Sequence, residues 1–229
     1  METVKFDTPT ALDATLADQV ATRLEAAIAS RGSASLVVSG GRTPLGFFHQ
    51  LSQRSLDWSN VLVTLADERW VDNSHSDSNE KLVRENLLIN KASKAEFLPL
   101  KNSAISARLG QVHTETRLAT LNEFTVVILG MGNDGHTASL FPGSETLSEG
   151  LDMTSGRSCL AVTPLEAPHE RISLTLPRLL HTELLVIHIC GADKQKVLED
   201  ALGGSDITEL PIRAVIQQKQ CPVAVYFAG

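Results

Sequence analysis

The chain lacks most of the features that would place it in several large protein classes. Among 229 residues only Cys159, Cys190 and Cys221 are cysteine. They are isolated, odd in number and free of any C-x-x-C spacing, which argues against a disulfide framework and fits a reducing cytoplasm. Each lies in an apolar run, where a free thiol acts as a small hydrophobe. The seven histidines are scattered, with no H-E-x-x-H and none at ligand spacing from a cysteine, so neither a metal nor a cofactor is expected. Positive charge is not in excess: 20 Lys+Arg against 27 Asp+Glu leave a formal charge of −7. That excludes a general attraction for nucleic acid or an anionic membrane, and any anionic ligand must find a local pocket. Apolar stretches such as 125–131 and 184–192 fall far short of the ~20 residues a bilayer requires. The first twenty residues, METVKFDTPTALDATLADQV, carry neither the basic start nor the apolar core of a signal peptide.

What is present is 42% apolar content arranged as short strand-like runs alternating with helical patterns. Runs at 35–38, 61–66, 125–129, 159–163, 184–190 and 223–227 predict strands. Helices are predicted over 10–30, 44–51, 78–88, 103–121 and 193–201. In the first of these, Leu12, Leu16, Val20, Leu24 and Ile28 form one apolar stripe on an otherwise polar helix. This alternation predicts a doubly wound, mostly parallel α/β sheet with helices on both faces. No Pro/Gly/Ser linker, repeat or low-complexity block divides the chain, so residues 1–229 read as one domain.

Ligands of open α/β sheets bind beyond the carboxyl ends of the strands, which directs attention to three polar clusters. Ser39-Gly40-Gly41-Arg42-Thr43-Pro44 follows the first central run. Its glycines let the backbone approach a ligand, and Thr43 as N-cap with Pro44 at the first helical position would open a phosphate-binding helix end. A plain strand-to-helix turn explains the same residues. The spacing from Gly41 to Gly46 is that of a nucleotide P-loop, but Phe47-Phe48 stands where Lys-Ser/Thr is needed, so a P-loop is rejected. Asp67-Glu68-Arg69-Trp70 follows the next run and offers acid/base or hydroxyl-orienting groups; a solvated loop is the bland alternative. Gly130-Met131-Gly132-Asn133-Asp134-Gly135-His136-Thr137 matches G-x-G-x-x-G, yet Phe141-Pro142-Gly143 truncates the long helix a dinucleotide site needs. What remains is a turn presenting Asp134 and His136, or simply good turn chemistry beside an exposed histidine. Arg171 and Lys194 are candidate partners for a phosphate dianion, although either is equally a surface cation.

Together, in this order, these blocks and the continuous stretch Gly130 to Gly143 resemble the family of 6-phosphogluconolactonases and glucosamine-6-phosphate isomerases/deaminases. The resemblance spans nearly the whole chain and implies an isomerase-like sugar-phosphate fold. It implies that Gly40, Gly41, Arg42, Thr43, Arg171 and Lys194 hold the substrate phosphate and that Asp67, Arg69, Asp134 and His136 form the catalytic set, with His136 as general base. One departure separates the two activities. The deaminases carry a glutamate before Pro-Gly in the third block, and this chain has Phe141. Phenylalanine cannot relay a proton, whereas a lactone carbonyl needs only an activated water and charge stabilisation. The resemblance therefore implies hydrolysis of 6-phospho-D-glucono-1,5-lactone to 6-phosphogluconate, in the oxidative branch of the pentose phosphate pathway. The alternatives are an amino-sugar phosphate isomerase/deaminase, with Glu145 or Glu149 as substitute acid, and a non-catalytic sugar-phosphate sensor.

Overall fold

A computed structural model describes residues 1–229. In chain order the elements are β1 (Glu2–Phe6), α1 (Pro9–Arg31), β2 (Ala34–Val38), α2 (Leu45–Ser52), β3 (Val61–Leu65), β4 (Asp67–Arg69), α3 (Asn79–Asn86), β5 (Glu96–Leu98), α4 (Ala107–Leu118), β6 (Val126–Leu129), α5 (Leu147–Leu151), β7 (Cys159–Val162), β8 (Arg171–Leu174), α6 (Leu176–Leu180), β9 (Leu185–Cys190), α7 (Ala192–Gly203), α8 (Ile212–Ile216) and β10 (Val223–Ala228). No helix is long and apolar enough to cross a membrane.

Seven strands form a parallel sheet in the order β1-β10-β9-β6-β2-β3-β5. From β2 the chain winds outward through β3 to β5, then returns to the other side of β2 with β6. The carboxyl ends of β2 and β6 therefore flank the switch point where such sheets bind ligands. Helix α1 lies against β1, β2, β6 and β10. Leu12, Leu16, Val20 and Leu24 of its stripe are buried, and Ile28 packs at the edge of the core. Thr8 caps its start by accepting the Ala11 N–H at 3.2 Å. Gly32, at φ 81°, ends it by donating to Ile28 O, the left-handed turn that glycine adopts without strain.

Two expectations need correction. The run 159–163 is a strand, but it belongs to a separate antiparallel sheet, β4-β8-β7. A short apolar run looks the same in either setting; only its partners differ. Asp67-Glu68-Arg69 is likewise a strand of that sheet instead of a loop. Its polarity is tolerated because Glu68, only 1% exposed, works as a structural acceptor at the start of α3. Its carboxylate receives the N–H groups of Asn79 at 2.8 Å and Glu80 at 2.7 Å, the Ser78 hydroxyl at 3.1 Å and the Arg69 N–H at 2.7 Å. These satisfy helix donors that otherwise lack partners. Burial pushes the Glu68 carboxyl above its ordinary range while the same N–H groups pull it back.

Glu68→Gln keeps the shape but replaces one acceptor oxygen with an amide, leaving a buried helix N–H unmatched. Denaturant unfolding of this variant is expected to show a loss of about 1–3 kcal/mol.

Candidate active site

A cleft opens where the two sheets meet, beyond the ends of β2, β6 and β9. Its lining includes Ser39, Gly40, Gly41, Thr43, Asp67, Arg69, Asn79, Gly130, Gly132, His136, Arg171, His188 and Lys194. The loops after β2 and β6 are tied together by Ser39, whose hydroxyl donates to Ile128 O at 3.2 Å and accepts the Gly130 N–H at 3.4 Å. Gly41 takes φ 94°, a bend that L residues rarely adopt. At Gly40 any Cβ would fall 1.9 Å from the Asn79 side-chain oxygen, so the close approach there requires glycine.

On the small sheet, β4 runs antiparallel to β8 with Arg69 directly opposite Arg171. Both line the cleft, and the Nε of each is buried without a protein partner. Arg69 is anchored through Nη1 to the backbone oxygen of Asp77 at 2.6 Å. Asp67 shares their face. Its carboxylate accepts the Ser139 hydroxyl at 2.5 Å and lies 3.8 Å from Arg171 Nη1. Asn79 Nδ2 donates to its backbone oxygen at 2.9 Å. Burial holds the Arg171 guanidinium below its usual pKa, Asp67 opposes that, and Arg69 adds to it.

The turn after β6 places Asp134 Oδ1 2.5 Å from His136 Nδ1 and 3.2 Å from the His136 N–H. A carboxylate there selects the tautomer with its proton on Nδ1, leaving the Nε2 lone pair free. Desolvation raises the Asp134 carboxyl, but the hydrogen bonds and charge of His136 outweigh it and hold it below the ordinary aspartate range. Gly132 makes the pairing possible, because a Cβ there would lie 2.1 Å from His136 Nδ1 and 2.4 Å from Asp134 Oδ1. Phe141 packs against the imidazole at a tilt of 42°, with ring centroids 4.4 Å apart, and its ring centroid also lies 5.2 Å from the Arg171 guanidinium carbon. Lys194, near the start of α7, donates to Asn133 Oδ1 at 2.5 Å; burial lowers its pKa, against the opposing pull of Asp134 and Asp193.

The fold brings together Gly40, Gly41, Thr43, Asp67, Arg69, His136, Arg171 and Lys194. Asp134 lies behind His136 instead of lining the cleft. Arg42 departs from expectation: with the chain bent at Gly41, its side chain is exposed and outside the lining. Thr43 does not cap a helix, since α2 starts two residues later behind Pro44 with no side-chain cap. Glu145 and Glu149 are both exposed away from the cleft, and Glu149 is paired with Arg157 at 2.5 Å. Asn79 and His188 were not anticipated. Asn79 had only a helix-start pattern to mark it, and His188 sits inside an apolar strand run.

In this α/β protein three cations face one carboxylate in the lining, beside an imidazole oriented by a second carboxylate, an arrangement with the charge to hold a small anion and a base beside it. Comparison places it more closely. The family model described as glucosamine-6-phosphate isomerases/6-phosphogluconolactonase matches residues 7–224, and the chain belongs to that family. It is 46% identical to a 6-phosphogluconolactonase of Rhizobium meliloti (strain 1021), over 97% of both chains. It is 44% identical to one of Pseudomonas putida, over 94% of this chain and 88% of that one. The crystal structure of a 6-phosphogluconolactonase from Shewanella baltica OS155 superposes with a TM-score of 0.97 at 46% identity, covering 100% of this chain and 98% of that one.

Gly132→Ala is expected to separate Asp134 from His136 while leaving the sheets intact. Imidazole ¹⁵N NMR should then show His136 losing its fixed tautomer, with circular dichroism unchanged.

Proposed function

We propose that this protein hydrolyses 6-phospho-D-glucono-1,5-lactone to 6-phosphogluconate, as a cytoplasmic enzyme of the oxidative pentose phosphate pathway. The observation that carries this over the deaminase activity of the same family is Phe141. The position that would bear the ring-opening acid holds an apolar ring packed at a tilt against His136, and neither Glu145 nor Glu149 lines the cleft in its stead. The two curated relatives named above are lactonases, which supports the same choice.

In the proposed reaction, His136 Nε2 takes a proton from water as the water oxygen attacks lactone C1. Asp134 holds the Nδ1–H and stabilises the imidazolium that forms. The tetrahedral intermediate expels the ring oxygen, the C1–O5 bond breaks, and the proton on His136 passes to that oxygen. Arg69 is assigned to the negative charge developing at C1, and Asp67 to the sugar hydroxyls. Arg171, Lys194 and the backbone of Gly40, Gly41 and Thr43 are assigned to the phosphate, where charge-assisted hydrogen bonds are strongest. A sensor that binds without turnover would have no need of the Asp134–His136 pair.

The test is lactone consumption from a freshly generated pool, corrected for spontaneous opening, beside ammonia release from glucosamine 6-phosphate. Accelerated lactone loss without ammonia is expected; ammonia release with no lactone acceleration would overturn the assignment. His136→Ala should lower kcat by ~10² to 10⁴ with little change in KM. Lys194→Ala should do the reverse, raising KM by roughly tenfold or more at nearly constant kcat, since a charged hydrogen bond contributes ~1.5 to 3 kcal/mol.

A further inference from the structure

Outside the cleft, the fold assembles a second group of coordinating side chains that no sequence spacing joins. His75 and Asp77 lie on the segment between β4 and α3, and His169 lies just before β8. One ligand atom from each falls within 4.8 Å of the other two. Asp77 Oδ2 is 3.1 Å from His169 Nε2 and 3.9 Å from His75 Nδ1, and the two imidazoles meet edge to face with centroids 5.3 Å apart. None of the three lines the cleft.

The geometry points to a binding site for a late first-row divalent cation, zinc first, held by His75 Nδ1, Asp77 Oδ2 and His169 Nε2. Tetrahedral zinc with ligands at about 2.0–2.1 Å needs its donors roughly 3.3–3.4 Å apart, and the two measured separations bracket that value. Two imidazoles and one carboxylate suit zinc or its transition-metal neighbours, whereas calcium and magnesium prefer an all-oxygen set. The His75 nitrogen already presents its lone pair inward, accepting the Asp77 N–H at 3.1 Å, a bond that coordination would replace. His169 adopts φ 72°, an unfavourable conformation for a residue other than glycine, and this backbone brings its ring to Asp77. His75 and Asp77 are partly or fully open to solvent, so an ion has a path in and a water can complete the shell.

An ion here would clasp two segments that both hold Arg69 and its neighbour in place. Asp77 O receives the Arg69 guanidinium, and Glu170 O, one residue beyond His169, receives the Trp70 N–H at 2.7 Å. The site thus supports the cleft from behind without adding a group to the reaction.

Calorimetric titration of Zn²⁺ into the metal-free full-length protein tests this, with Co²⁺ as the spectroscopic probe. One equivalent should bind, Co²⁺ should show the visible absorption of a four-coordinate site, and the melting temperature should rise with Zn²⁺. His75→Ala, on an exposed loop, and His169→Asn, which tolerates a left-handed backbone, should each weaken binding at least about tenfold and abolish the Co²⁺ bands. His136→Ala should bind as wild type. The proposal fails if the wild type binds no stoichiometric ion and the cluster is a hydrogen-bonded clasp only. It fails equally if the His75 and His169 variants bind as wild type, or if binding is lost in His136→Ala and so belongs to the cleft.

Discussion

Two arginines face each other across adjacent strands, and much of the molecule is arranged around that fact. Like charges directly opposite on a sheet are unfavourable, and here Arg171 is buried and Arg69 half-buried, with the Nε of each unmatched by protein. A fold selected for stability alone would place a β-branched pair there. Asp67, fixed by Ser139 and Asn79 on the same face, offsets part of the repulsion but lies 3.8 Å from Arg171, too far for a tight ion pair. The remaining positive charge gives an otherwise acidic chain one cleft with the potential to attract an anionic ligand.

The rest of the site is built to hold those strands and the imidazole in register. Glu68 on the opposite face of β4 pins that strand to the start of α3 through helix N–H groups, and α3 in turn delivers Asn79 to Asp67. The turn after β6 contributes at both ends. Gly132 leaves room for the Asp134–His136 contact, and Ser139 reaches back to Asp67. Phe141 fills the gap between His136 and Arg171 with a ring that touches both. Such a ring excludes water from one side of the imidazole and carries no proton, which fits hydrolysis of an ester already activated as a lactone.

Local pattern made much of this legible in the sequence. The α1 stripe, the apolar central strands and the Gly130–Gly143 block each carry their signal within a few residues, and the observed elements fall close to the predicted ones. Two of the missed strands share a physical cause. β1 is a half-exposed edge strand and β4 is three polar residues, so neither shows a burial pattern of its own. Their identity as strands comes from partners at the far end of the chain, in β10 and β8. The pairing of Arg69 with Arg171, the cluster of His75, Asp77 and His169, and the exposure of Arg42 arise the same way, from register and backbone direction. The family resemblance implied that Arg42 holds phosphate; beyond the bend at Gly41 its side chain is exposed to solvent.

The central claim is that the arginine pair is held in place for an anion and not for the fold. Its most direct measurement is the melting temperature of wild type and Arg69→Met, each with and without saturating 6-phosphogluconate. Methionine keeps the apolar stem but removes the charge facing Arg171. The account predicts that ligand-free Arg69→Met melts no lower than wild type, while the rise produced by 6-phosphogluconate is largely lost. A variant that melts well below wild type without ligand and keeps the full ligand-induced rise would show that the pair serves the fold, and would contradict the account.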